Sequence, residues 1–159
     1  MANTLLLFIG LWLNVLMVKP ETASQKSLFK MTEKHFGSNA ELVQIPNNNG
    51  TPLQGELYQI KGGSTKGYGY IGKANGRGHQ FTISALFSTN GKIIELKVTE
   101  YTSTYGTEVC NTAWLKRFRG KGAESLTLGV DVEAISGATI SSTGLVAKLN
   151  EIGKKLKKL

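Results

Sequence analysis

Two stretches in the middle of the chain alternate apolar and polar residues with a period of two. Phe81, Ile83, Ala85 and Phe87 interleave with Gln80, Thr82, Ser84 and Leu86, and Ile94, Leu96 and Val98 interleave with Glu95, Lys97 and Thr99. Successive side chains of a strand point to opposite faces, so this spacing predicts two half-buried strands. Between them Asn90-Gly91 supplies residues that tolerate positive φ, which predicts a tight type I′ hairpin. Shorter runs at Leu42 to Ile45 and Leu57 to Ile60 read as further strands, separated by the turn-rich Pro46-Asn47-Asn48-Asn49-Gly50-Thr51-Pro52. Elsewhere the period lengthens. Leu28, Phe29, Met31 and Phe36 predict a short amphipathic helix from about Ser24 to Phe36, and Thr112 to Phe118 reads as another. Leu145, Val146, Leu149, Ile152 and Leu156 predict a terminal helix packed on the sheet. The expected fold is α+β: a twisted antiparallel sheet with helices packed against it.

Gly67-Tyr68-Gly69-Tyr70-Ile71-Gly72 satisfies G-x-G-x-x-G, but a turn-like Lys73-Ala74-Asn75-Gly76-Arg77-Gly78 follows where a dinucleotide site needs a helix. A glycine-bearing strand with exposed tyrosines is the expectation there. At the start of the chain, Leu5 to Val18 is apolar apart from Gly10 and Asn14. It is shorter than the ~20 residues of a membrane span and suits the core of a signal peptide. Residues 1–23 are therefore expected to be a signal peptide cut near Ala23, or an uncleaved anchor. Residues 24–159 are expected to form a single domain outside the cytoplasm, in the periplasm or at the cell surface.

The formal charge is +8. A basic surface favours nucleic acid, anionic lipid or an acidic redox partner. Much of the charge lies in Lys154, Lys155, Lys157 and Lys158, interleaved with Leu156 and Leu159, which also reads as a solvated helix face complementing the C-terminal dipole. Cys110 is the only cysteine, so no internal disulfide forms, and its setting beside Trp114 suits a packed thiol. His35 and His79 lack the cysteines or carboxylates that a metal site requires at ligand spacing. No paired carboxylates or Ser/His/Asp set is legible, which leaves catalysis on a small molecule unsupported.

The most informative chemistry lies at Ser136-Gly137-Ala138-Thr139-Ile140-Ser141-Ser142, where hydroxyls and small residues stand at the expected start of the terminal helix. Free N–H groups and the positive dipole end favour an anion there, and Gly137 and Ala138 let one approach the backbone. Thr139 is a candidate to contact a phosphate or carry one covalently. Capping of the helix by Ser136 or Thr139 explains the same residue types without a ligand.

The wider stretch VEAISGATISS resembles the flavin attachment motif of the FMN-binding domain family, found in the C subunit of the sodium-translocating NADH:quinone oxidoreductase and the G subunit of the Rnf electron-transport complex. Gly67 to Ala74, the strand ending at Phe87, the Asn90-Gly91 turn and Ile93 to Val98 are similar to the family's glycine-tyrosine start and its central hairpin. Thr104 to Glu108 occupies the place of its flavin loop, with Ser103-Thr104-Tyr105-Gly106 where the family has E-T-P-G. Trp114, Phe118, Gly120 and Lys121 match its W…F.GK helix end. The resemblance is strongest over residues 65–157.

The resemblance implies FMN as cofactor, joined by a phosphoester to Thr139, with Ser136, Gly137, Ala138, Ile140, Ser141 and Ser142 around the phosphate. It implies stacking of the flavin on Tyr105 and Trp114, with Tyr68, Tyr70 and Tyr101 as alternatives to Tyr105, and hydrogen bonding by the backbone at Gly106 and Thr107. Glu133 stands where the family has an aspartate six residues before the threonine, a position read by the flavin transferase that installs FMN. The implied function is an exported electron carrier whose partners are that transferase and redox donor and acceptor proteins, some of them membrane-bound, with no nucleic acid. Two other readings remain open on the residues: a module binding flavin or another ligand noncovalently, and a flavin-free basic domain using Lys154 to Leu159 on anionic membrane or nucleic acid.

Overall fold

In the computed structural model, which describes residues 20–46, 53–62 and 66–159, the fold is α+β. Five strands follow one another as an antiparallel meander: β1 (Glu41–Ile45), β2 (Glu56–Lys61), β3 (Gly67–Asn75), β4 (Gln80–Ser88) and β5 (Ile93–Glu100). Helix α1 (Ala23–Phe36) precedes the sheet, the short α2 (Thr112–Leu115) follows it, and α3 (Thr139–Leu156) ends the chain. Residues 1–19 of the expected signal peptide and most of the Pro46 to Pro52 turn lie outside the described residues. Within those residues, no helix is long and apolar enough to cross a membrane.

The terminal helix follows its sequence pattern: Leu145, Val146, Leu149, Ile152 and Leu156 are all buried. They meet Phe81, Ile83, Ala85 and Phe87 of β4 in one core. Helix α1 lies on the opposite face, where Leu28, Met31 and Phe36 pack with Leu42, Tyr58, Ile60 and Leu86. This arrangement corrects the half-buried reading of β4, which is buried on both faces from Phe81 to Phe87. The polar residues that suggested a wet face are internally satisfied: the Ser84 hydroxyl donates to the Ser24 carbonyl (3.0 Å) and the Thr82 hydroxyl to the Glu100 carboxylate (2.9 Å). The expectation of exposed tyrosines on β3 is corrected too. Tyr70 is fully buried, with its hydroxyl donating to the Gln54 carbonyl, and Tyr68 is half-buried.

The β4–β5 hairpin forms, but not through a type I′ turn. Asn90 keeps a negative φ, and Gly91 alone takes the left-handed region at φ 74. The Gly91 N–H donates to the Ser88 carbonyl (3.0 Å) and the Ser88 N–H to the Lys92 carbonyl (2.9 Å). This is the three-residue loop in which a glycine after the turn forms a bulge, and the register shift falls next to it, between Leu86 and Phe87.

Two features seat the helices. Thr22 caps α1 in a reciprocal box: its hydroxyl accepts from the Gln25 N–H (3.1 Å), while the Gln25 side-chain oxygen accepts from the Thr22 N–H (3.1 Å). At the other end of α1, Glu95 of β5 is buried and gathers Lys34 (3.0 Å), Arg119 (3.3 Å), Lys97 (3.9 Å) and His35 around its carboxylate. Burial alone pushes that carboxyl up, but hydrogen bonds from His35 and Lys34, with the charges of Lys34 and Arg119, outweigh it and bring it to about 2. A carboxyl lowered from 4.5 in this way stabilises the fold above its unfolded value, and the contribution is lost as pH falls from about 4.5 through about 2. Glu95→Gln is expected to cost about 2 kcal/mol at neutral pH. Its melting-temperature deficit against the wild type should shrink as pH is lowered through that window; a deficit independent of pH would show that the charge contributes nothing.

Candidate functional site

Helix α3 begins where Gly137 turns the chain. Its φ of 85 falls in the left-handed region that glycine adopts without cost, and a Cβ there would lie 2.8 Å from a Glu108 carboxylate oxygen. Ala138 then occupies the N-cap position, buried and without a capping hydroxyl. Neither Ser136 nor Thr139 caps the helix. Ser136 is exposed before it, and Thr139 is its first residue, also exposed. The first bond of the helix runs from the Ser142 N–H to the Ala138 carbonyl (2.8 Å), so Ser142 has no free N–H to offer a ligand. The N–H groups of Thr139, Ile140 and Ser141 precede that bond. A long helix thus ends, on its positive side, at an uncapped turn with an exposed hydroxyl.

The segment after β5 closes over this end. The Tyr101 hydroxyl donates to the Tyr105 carbonyl (2.7 Å) and shares a hydrogen bond with the Ser141 hydroxyl (3.0 Å), which pins the 101–106 loop to the first turn of α3. Gly106, at φ 75, permits this approach, because a Cβ there would meet the Ser141 and Tyr101 oxygens at 2.9 Å. Between loop and helix lies a cleft of ≈ 240 Å³ lined by Tyr105, Gly106 and residues 137–141, with Arg77 on its third side. Tyr105 and Ile140 are among the largest exposed apolar side chains, at 77% and 51% exposure.

Arg77 is the single charged residue of the lining. It sits at the tip of the β3–β4 turn, which is held by the Gly76 N–H donating to the His79 carbonyl (2.8 Å) and by the His79 ring standing edge-on to Tyr101, centroids 4.9 Å apart. The same turn touches α3 directly: a Cβ on Gly144 would fall 1.8 Å from the Asn75 carbonyl oxygen.

Of the residues expected at the site, the structure brings Gly137, Ala138, Thr139, Ile140, Ser141, Tyr105 and Gly106 to one cleft. It places others elsewhere. Ser142 is buried, its hydroxyl donating to the Thr139 carbonyl (3.0 Å), and Thr107 opens a 3₁₀ turn (Thr107–Cys110) outside the lining. Trp114 faces the core rather than the cleft: it is 5% exposed, packs edge-on against Phe118, and donates from its indole nitrogen to the Glu133 carbonyl (2.8 Å). The Glu133 side chain is exposed and pairs with Arg117. Cys110 is partly buried, and burial pushes its thiol up. No cluster suited to a metal occurs among the described residues.

Sequence reasoning missed Arg77, and it offered Tyr101 only as an alternative stacking surface, not as the residue that joins the loop to the helix. The signal for Arg77 was present in Gly76-Arg77-Gly78, a charged residue between two glycines on the turn that follows the G-x-G-x-x-G run. Tyr101 carried no local signal, since its partners lie 4 and 40 residues away.

A comparison with curated proteins finds no match. Residues 76–152 match the FMN-binding domain. That stretch opens at the Arg77 turn, contains both walls of the cleft and runs through most of α3, so the turn, loop and helix end are described by the match itself. Over residues 76–152 the chain is similar to the FMN-binding domain, and the cofactor that this domain indicates is FMN.

Proposed function

We propose that this protein is an exported electron carrier in which FMN is esterified through its phosphate to the Oγ of Thr139. The observation that carries the reading is the uncapped start of α3, where an exposed hydroxyl with no hydrogen-bond partner among the described residues faces a cleft inside the matched domain.

The residues present suit the group. The N–H donors of Thr139, Ile140 and Ser141 and the Arg77 guanidinium offset phosphate charge from two sides. Tyr105 and Ile140 offer exposed apolar surface to a flat ring, and Gly106 lets a ring edge reach backbone. The Tyr101 hydroxyl holds the loop and helix walls together. Attachment requires an activated FMN donor, brought by a flavin transferase that reads the Glu133 region; the Thr139 oxygen bonds to phosphorus, the donor's leaving group departs and the hydroxyl proton is released. Bound FMN supplies one- and two-electron chemistry. The protein contributes tethering, orientation and positive charge, and tethering keeps the cofactor from diffusing away outside the cytoplasm, where residues 1–23 would direct the chain.

The test is the intact mass and colour of protein made together with a flavin transferase. Yellow colour that survives denaturant, with the added mass on the peptide containing Thr139, is expected. Colour that washes out indicates noncovalent binding, and protein without flavin under either condition overturns the reading.

A further inference from the structure

A second concavity lies one short turn along the chain from the cleft. Cys110, Thr112 and Leu115 form one wall of a groove of ≈ 440 Å³, with Leu96 and Val98 of β5 as apolar floor. Its rim is cationic: Lys34 from α1, Lys97 from β5, and Lys116 and Arg119 from the segment after α2. Glu95 is the only acidic residue in the lining. That carboxylate already serves Lys34, His35, Lys97 and Arg119. One negative charge shared among three permanent cations leaves positive charge unmatched, and Lys116, with no ion pair among the described residues, adds to it. Concentrating like charge around a concave surface is unfavourable until an anion enters it.

We propose that this groove docks an acidic segment of a partner protein that also carries an apolar side chain, its carboxylates meeting the lysine and arginine rim while the apolar group covers the half-buried Val98. A protein segment fits better than an anionic membrane. Among the described residues the most exposed large apolar side chains, Tyr105, Val130, Ile140 and Leu159, all lie outside this groove, so none of these is placed beside it to insert into lipid. The 3₁₀ turn Thr107–Cys110 links Gly106 of the cleft to Cys110 of the groove, so a docked partner would lie one short turn from the proposed flavin site. That the partner exchanges electrons rests on the function proposed above; the docking itself does not.

The experiment uses the full chain and a fluorescein-labelled peptide of alternating glutamate and leucine, with binding followed by anisotropy across a salt series. Lys116→Glu is compared with Lys154→Glu, which changes the net charge equally at the exposed far end of α3. Lys97→Gln serves as a second groove variant that introduces no new negative charge, and thermal melts verify that each variant folds. Wild type is expected to bind with strong salt dependence, Lys116→Glu to weaken binding at least about fivefold with a flatter salt slope, and Lys154→Glu to change it less than about twofold. Equal losses in both charge reversals would mean that the peptide senses only net charge, and would overturn the proposal. Two other results would overturn it as well: no peptide binding by wild type at low salt, or groove-dependent binding only to phosphatidylglycerol vesicles. Flavin content is read separately by absorbance, so protein without flavin that still binds the peptide at the groove sinks the redox reading alone.

Discussion

Thr139→Val, made alongside a flavin transferase, is expected to yield protein that weighs no more than its amino acids and keeps no colour in denaturant. The substitution removes one oxygen and preserves shape, and the Thr139 hydroxyl has no hydrogen bond to lose among the described residues. Folding should therefore be unchanged, with melting temperature close to that of wild type, while loss of the adduct is complete. Neighbouring hydroxyls provide the controls. Ser141 is buried and engaged with Tyr101, and Ser142 is buried and bonded to the Thr139 carbonyl, so neither oxygen is presented to an incoming donor. Ser136 is exposed but precedes the helix. Ser136→Ala should retain the adduct. If Thr139→Val carried a normal flavin load, attachment would have to be sought at another hydroxyl and the assignment of Thr139 would fail.

Gly144→Ala is expected to lower the melting temperature by at least about 5 °C. Two effects of opposite sign meet at this residue. Alanine in a helix interior is worth about 1 kcal/mol over glycine, which would stabilise α3. Against that, the new methyl would lie 1.8 Å from the Asn75 carbonyl oxygen and 2.8 Å from its carbon. The obstacle is backbone on both sides, so no side chain can swing away, and the turn beyond Asn75 is fixed by its own hydrogen bond and by His79 against Tyr101. Overpacking of this kind costs about 1–3 kcal/mol and more when backbone must move, so the clash wins. Because Arg77 lies on that turn and Thr139 on that helix, the same displacement should open the cleft and slow flavin loading. An alanine variant as stable as wild type would mean that α3 does not seat against the β3–β4 turn.

Much of the architecture was legible in the periodicity of the chain. The β4–β5 pair, the two short strands before them, α1 and the apolar stripe of α3 all appear where the spacing of Phe81, Ile94, Leu28 and Leu149 predicts. What escaped was tertiary. Ser84 and Thr82 look like a solvated face until α1 arrives on the other side of the sheet and Ser24 accepts the Ser84 hydroxyl from 60 residues away. Asn90-Gly91 signals a tight turn but not which of the two residues takes the positive φ. Trp114 was a reasonable stacking surface by type, yet its indole is committed to a carbonyl 19 residues distant. At the site, residue identity was enough to single out Thr139, Gly137 and Gly106. The helix end is uncapped because Ala138 occupies the cap position, a one-residue difference beyond the resolution of sequence patterns.

If the chain is exported and processed as proposed above, the reciprocal cap at the start of α1 constrains where a peptidase can cut. Cleavage after Ala23 would discard Thr22 and place a new ammonium group on Ser24, against the positive end of the helix and next to the Ser24 hydroxyl's bond with Thr99 (2.8 Å). A processing site compatible with the mature fold therefore lies upstream of Glu21, whose own N–H also donates to Gln25 (2.9 Å). Edman sequencing of exported protein should begin at or before residue 21, and a mature terminus at Ser24 would show that α1 tolerates losing its first clasp.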